Sequence, residues 1–328
     1  MENFWSGKNV FITGANGFLG SHITSLLIER GVRPTVLIYE ENPGGIFEQQ
    51  NLAARARVVR GDIRDFALLN DTIRNYAIDS VFHLAAHSIA DQALEDPLAA
   101  LEVNVKGTWN ILEAGRRNPG VQRIVVASSE KAYGQHETVP YSESTHYLCA
   151  EYPYEVSKAC VDLISRSFHR AFGLPVCVTR CSNVYGPGDL KMSRIVPQTI
   201  SRLHAGEAPV IRGTVESLRD YVYVGDVAEA YIMLAEKIGE GLRGEAFNFS
   251  TNTPLSALNV IAAISAQMAK HISPTVSAVE GMDAHHQYSS YEKAKQCLGW
   301  EPRHTFEEGL QKTIPWYVHH LGAAEKRV

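Results

Sequence analysis

Short apolar runs alternate with segments of helical period through the first half of the chain. The runs fall at Val10–Thr13, 35–39, 58–60, Ser80–His83, 124–127 and 176–180, and amphipathic helical spacing covers 21–30, 66–76, 99–117 and 154–172. Strands of this length separated by helices predict βαβ units, because parallel neighbours can be joined only by a crossover. The expected fold is α/β, a doubly wound parallel sheet. After Arg180 the alternation loosens into Gly186-Pro187-Gly188, a helix over Ile195–His204, and a turn-rich stretch around Gly213. A second, smaller lobe is expected to begin here. A helix over 227–238 and a strand over 246–250 read as a return to the sheet. The expected partition is therefore interleaved: 1–181 with 219–250 in the first lobe, and 182–218 with 251–328 in the second.

Composition narrows the classes of function. At 328 residues, 45% hydrophobic and 20% charged, the chain can enclose an active site without help from disulfides or structural metal. Its formal net charge of -5 supplies no broad basic field, which excludes a general polyanion-binding role and nucleic acid as a partner. Five cysteines, Cys149, Cys160, Cys177, Cys181 and Cys297, are scattered and unpaired in spacing, so they read as reduced thiols. His285 and His286 lack partners at metal-ligand spacing, and no metal is expected. The polar start runs straight into a strand and no apolar run approaches a membrane span, so a cytoplasmic location without membrane contact is expected.

Gly14-x-x-Gly17-x-x-Gly20 directly follows the first strand and opens a helix with an apolar face of Ile23, Leu26 and Leu27. Glycines there allow a tight turn, backbone approach to a pyrophosphate and close helix-to-strand packing, while the helix N-terminus favours negative charge. A Rossmann dinucleotide site is expected. Glu40 stands about where an acidic residue meets the adenosine ribose, although Tyr39 can occupy the same slot. With no arginine directly after this strand to meet a 2′-phosphate, NAD is favoured over NADP. Asp62 follows the third strand and suits either the adenine end or a helix cap.

Tyr154 and Lys158 lie one helical turn apart and share a face. An ammonium beside a phenol favours phenolate, which makes Tyr154 a candidate general base for a substrate hydroxyl. Ser128 and Ser129 end the 124–127 strand, and the carboxyl ends of such strands open onto the ligand crevice. Glu130 and Lys131 follow immediately and read either as acid/base groups beside these residues or as a surface pair. His87, after the fourth strand, is placed to touch cofactor or sugar, or to serve packing alone. Cys181 reads as packing rather than nucleophile.

Taken together, Thr13-Gly-Ala-Asn-Gly-Phe-Leu-Gly20, His83-Leu-Ala-Ala86, Asn104-Val-Lys-Gly-Thr108, Ser128-Ser-Glu-Lys-Ala-Tyr-Gly134, Tyr154 with Lys158, Asn183-Val-Tyr-Gly-Pro187 and Arg219-Asp-Tyr-Val-Tyr-Val-Gly-Asp226 cover nearly the whole chain. The chain resembles extended short-chain dehydrogenases/reductases, specifically nucleotide-sugar epimerases and dehydratases. The resemblance implies an oxidation triad of Ser129, Tyr154 and Lys158, with Asn183 and Arg219 on a substrate diphosphate. It also implies that Asn16, Phe18, Leu19, Ile63, Leu84, Ala85 and Ala86 line NAD, and that the enzyme is a homodimer formed through the helices over 99–117 and 154–172.

Plain 4-epimerases usually carry small or neutral residues after the triad serine, whereas 4,6-dehydratases carry an acid followed by Glu or Lys. Glu130-Lys131 looks most like CDP-glucose 4,6-dehydratases, with some similarity to dehydratases of UDP-N-acetylglucosamine. Glu130 departs from the Asp those enzymes carry, by one methylene. Elimination of water across C5 and C6 needs one group to take the C5 proton and another to protonate the leaving hydroxyl, so two titratable side chains here have a chemical purpose. A 4,6-dehydratase is expected; a 4-epimerase, a 5,6-dehydratase and a non-catalytic dinucleotide sensor are the alternatives.

Overall fold

The structure is a computed structural model, and it describes residues 3–277 and 286–325. Its strands are β1 (Val10–Thr13), β2 (Thr35–Ile38), β3 (Arg57–Arg60), β4 (Ser80–His83), β5 (Arg123–Ala127), β6 (Val176–Cys181), β7 (Asn183–Tyr185), β8 (Val210–Arg212), β9 (Leu218–Arg219), β10 (Tyr221–Tyr223), β11 (Ala246–Phe249), β12 (Leu255–Ser256) and β13 (Thr275–Ser277). Seven of them form one parallel sheet in the order β11-β6-β5-β4-β1-β2-β3. Chain direction across the sheet reverses between β1 and β4. That switch point puts the loops after β1, β4 and β5 side by side at the carboxyl edge, where a crevice opens.

Alternation along the strands builds two cores. Val10 and Ile12 point to one face with Ile23, Leu27, Val36 and Phe247, while Phe11 points to the other with Leu37, Val81, Ile111, Ile124 and Val161. Helices cover both faces, so the strands read as continuous apolar runs. A third core joins Tyr185, Val196, Ile200, Val260, Leu310 and Tyr317 from the later part of the chain. Ala294, Leu298 and Trp300, expected in the smaller lobe, instead pack into the first sheet-face core.

Helix boundaries differ from expectation where backbone chemistry intervenes. The glycine-loop helix starts at Phe18, three residues early, because Gly17 serves as its N-cap in extended conformation. The helix Pro153–Phe172 begins with proline at its first position and is stopped by Gly173 at φ 69°. The stretch expected as one helix over 99–117 is three pieces. Pro97–Leu101 and Gly107–Arg117 are α-helical, and Glu102–Lys106 between them is wound in π form. The wider turn brings Asn104 inward, where its amide grips both backbone groups of His87 (2.7 and 3.1 Å) and the hydroxyl of Ser157 (2.8 Å).

Under the catalytic edge lies a buried ion pair. Arg180, 2% exposed, meets fully buried Asp162 through two hydrogen bonds of 2.7 and 3.0 Å and donates a third, 2.7 Å, to the Tyr133 hydroxyl. Tyr133 in turn donates to Asn248 at 2.9 Å. This bracket connects helix Pro153–Phe172 to the turn carrying Glu130 and Lys131. Asp162→Ala should destabilise the fold by about 3–5 kcal/mol, because it strands a buried guanidinium. Denaturant unfolding checks this, and a loss below about 1 kcal/mol would show that the pair does not brace the fold.

Candidate active site

The glycine turn fits a dinucleotide by its shape. Gly14 sits at φ +70°, and a Cβ there would lie 2.7 Å from the Ala85 nitrogen; one on Gly20 would lie 2.0 Å from the Gly14 oxygen. Neither position tolerates a side chain, so helix and loop can close tightly. The helix start has neither a side-chain cap nor an acidic residue in its first turn, leaving its N–H groups facing the crevice. Asn16 ties the turn to the loop after β2 by donating to the Glu40 carbonyl at 2.7 Å, and Asn42 donates back to the Asn16 carbonyl at 2.8 Å. Glu40 and Tyr39 are both exposed at this end.

Farther along, the residues expected at the adenine end have other partners. Asp62 holds the Arg64 guanidinium and its N–H, which lowers the Asp62 pKa, and the helix cap there is Asp65, accepting from Leu68 N–H at 3.0 Å. The Ile63 side chain is buried against Gly107, so only its backbone is available to a cofactor. After β4, Leu84 and Ala85 are held by Thr13, through its carbonyl at 3.1 Å and its hydroxyl at 3.2 Å. Buried His83 lies between Thr13 (2.8 Å) and Thr108 (3.0 Å), and burial, helped by the charge of Lys158, drops its pKa to about 3. It is a neutral structural link. His87, fixed by Asn104, has a buried Nδ1 with no hydrogen-bond partner among the described residues.

Ser129 caps the short turn Glu130–Tyr133 and shares a hydrogen bond with the Tyr154 phenol. Lys158 donates to the Ala127 carbonyl at 2.9 Å, and burial lowers its pKa to about 8. The expected net lowering of the Tyr154 pKa is not found: burial raises it, with the charge of Arg194 the largest opposing influence, followed by the Ser129 hydrogen bond. Desolvation outweighs the nearby cations. Arg194 is aimed by Asp189, whose carboxylate accepts from it at 3.0 Å.

Glu130 and Lys131 are not a surface pair. Glu130 is 1% exposed, and its carboxylate accepts from Ser182 at 2.7 Å and from Ser289 at 3.3 Å, with the Asn183 amide at 3.5 Å. Burial raises its pKa to about 7, so near neutrality it holds a proton part of the time. The Lys131 ammonium donates to Gln287; burial and the charge of Arg219 lower its pKa. Asn183 also donates to the Asp220 carbonyl at 3.0 Å, so its amide is engaged within the protein on both counts. Arg219 borders a cleft of about 230 Å³ lined also by Ser193, Ile195, Arg212, Thr214 and Tyr221.

Sequence relationships agree with this geometry. A family model, GDP-mannose 4,6 dehydratase, matches residues 11–313. The chain belongs to the GDP-mannose 4,6 dehydratase family. It is 31% identical to a dTDP-glucose 4,6-dehydratase of Xanthomonas campestris pv. campestris, across 94% of this chain and 92% of that one. It superposes on the dTDP-glucose 4,6-dehydratase of Streptomyces venezuelae with NAD and TYD bound (TM-score 0.85, 28% identity, 96% and 98% of the two chains). It also superposes on the UDP-glucose 4-epimerase of Thermotoga maritima with UDP-glucose (TM-score 0.87, 28% identity, 95% and 99%).

In this member of the GDP-mannose 4,6 dehydratase family, four residues that act on the candidate site residues were not foreseen from sequence: Ser182 and Ser289 on Glu130, Gln287 on Lys131 and Arg194 on Tyr154. Only Arg194 carried a usable signal, as a cation directly before the helix Ile195–His204 and after the Gly-Pro-Gly turn. Among the described residues no group of three or more His, Cys, Asp or Glu is placed to hold a metal, and no helix is long and apolar enough to cross a membrane. His285 lies outside the described residues.

Proposed function

We propose that the protein is an NAD-dependent 4,6-dehydratase of a nucleoside-diphosphate hexose. The observation that carries this reading is a titratable pair, buried Glu130 and half-buried Lys131, directly beside the first of Ser129, Tyr154 and Lys158. A 4-epimerase needs only the latter three. Bound NAD supplies a hydride acceptor at C4 and a hydride donor at C6. The residues to hold it are the Gly14–Gly20 turn, Asn16 and Glu40, with Leu84 and Ala85 across the crevice.

The rest follows from the side chains. Ser129 orients the C4 hydroxyl and Tyr154 takes its proton as C4 gives up its hydride, which leaves a ketone that acidifies C5–H. Lys131 removes the C5 proton, the electron pair forms the C5–C6 double bond, the C6–O bond breaks, and the proton of Glu130 completes the departing water. C5 then regains a proton, and the product is a 4-keto-6-deoxy sugar. Arg219 suits a diphosphate, being a guanidinium at the wall of the cleft. Exposed Leu98, Trp109 and Leu163 on the helices flanking the π turn and on Pro153–Phe172 support a homodimer through these faces.

The test is turnover of dTDP-, CDP-, UDP- and GDP-activated hexoses followed by product analysis. We expect a 4-keto-6-deoxy product from at least one. Formation only of C4 epimers that keep the C6 hydroxyl would overturn the dehydratase reading in favour of an epimerase.

A further inference from the structure

Lys131 is held by a residue from the far end of the chain. The segment 286–290 runs between β9 and the Tyr141 turn. Gln287 N–H donates to the Leu218 carbonyl at 2.9 Å and pairs with Arg219 in a β-bridge, while Tyr141 exchanges backbone bonds with Tyr288 (2.9 Å) and Ser290 (2.8 Å). With its backbone fixed, the Gln287 side chain is 1% exposed and uses both ends of its amide: the NH₂ donates to the Gly134 carbonyl at 3.3 Å, and the oxygen accepts from Lys131. The Gly134 carbonyl can only accept, so the amide cannot flip, and its oxygen must face Lys131. The charged groups facing Lys131 are Glu130 on its own turn, Arg219 from β9 and Glu155 from helix Pro153–Phe172. Gln287 adds no charge to them.

We propose that Gln287 is a positioning residue for the elimination step: it aims Lys131 into the cleft through a neutral acceptor, so that the amine remains available to accept the C5 proton. This rests on Lys131 being the C5 base. The local balance is consistent with it, since burial and Arg219 lower the Lys131 pKa against the opposing pull of Glu130 and Glu155. A base works when deprotonated, so elimination should rise with pH as Lys131 loses its proton. A carboxylate at position 287 would favour the ammonium form and move that rise to higher pH.

The experiment compares Gln287→Glu and Gln287→Met in the NAD-loaded enzyme, using whichever nucleotide hexose of the panel turns over fastest. Rates of elimination and of C4 oxidation are measured across pH. For Gln287→Glu we expect the rise in elimination to shift upward by about one to three pH units, making the step roughly tenfold slower or more near neutral pH. Oxidation at C4 and KM should hold within about threefold. Gln287→Met, which adds no charge, should not move the rise upward. If both variants lose turnover with the rise unmoved, or if neither changes it, the proposal is overturned and the residue only supports packing. Lys131→Met is run in parallel. If it eliminates normally, the assignment of the base itself fails; if it loses elimination while Gln287→Glu leaves the pH profile in place, only the role of Gln287 fails.

Discussion

Tyr154→Phe is expected to reduce turnover by about 10²–10⁴-fold, the usual contribution of a positioned general base, while nucleotide-sugar affinity stays within a few-fold of wild type. The phenol bonded to Ser129 sits where burial raises its pKa, so its capacity to act as a base depends on the influences that offset desolvation, the charge of Arg194 first and the Ser129 hydrogen bond second. Loss of the hydroxyl removes the proton acceptor but leaves the aromatic ring packed as before. Steady-state kinetics with equilibrium binding of the sugar nucleotide separate the two effects. Turnover close to wild type would remove Tyr154 from the chemistry. A parallel loss of binding would instead indicate that the ring shapes the cleft.

Glu130→Gln should stop the reaction halfway. The carboxyl is buried against Ser182 and Ser289 and burial raises its pKa, which favours the protonated form that can give a proton to the leaving C6 hydroxyl, whereas an amide cannot. Oxidation at C4 does not need that proton. Elimination should therefore slow by about 10²-fold or more while C4 oxidation persists, and reduced nicotinamide absorbance should accumulate in a single turnover. With substrate deuterated at C4, the wild type should place deuterium in the new C6 methyl group, with a ketone at C4 and solvent-derived hydrogen at C5. A wild-type product epimerised at C4, still deuterated there and with its C6 hydroxyl intact, would leave Glu130 without a chemical role.

Much of this protein was determined by local sequence. The strand Val10–Thr13, the glycines at 14, 17 and 20 and the helix after them form a contiguous unit whose turn and packing follow from backbone freedom at three positions, so this strand-turn-helix was legible from spacing alone. The shared helix face of Tyr154 and Lys158 is likewise set by helical pitch, and the place of Ser129 by the end of a strand. The π turn at Asn104 was not legible, because shifting the hydrogen bonds by one residue leaves the apolar period of the flanking helices nearly intact. Nor could sequence decide whether Glu130 and Lys131 were a solvated pair or side chains drawn into the fold. That depends on Ser182, Gln287 and Ser289, which lie 52, 156 and 159 residues away from their partners in the pair. Tertiary structure likewise decided the direction of the Tyr154 shift, since the cation spacing along a helix is local but the loss of water around the phenol is produced by everything packed over it. Periodicity and spacing record what neighbours on the chain can do together. Desolvation and long-range hydrogen bonding arise only when distant segments close on one another, and in this site they set the protonation states on which the chemistry depends.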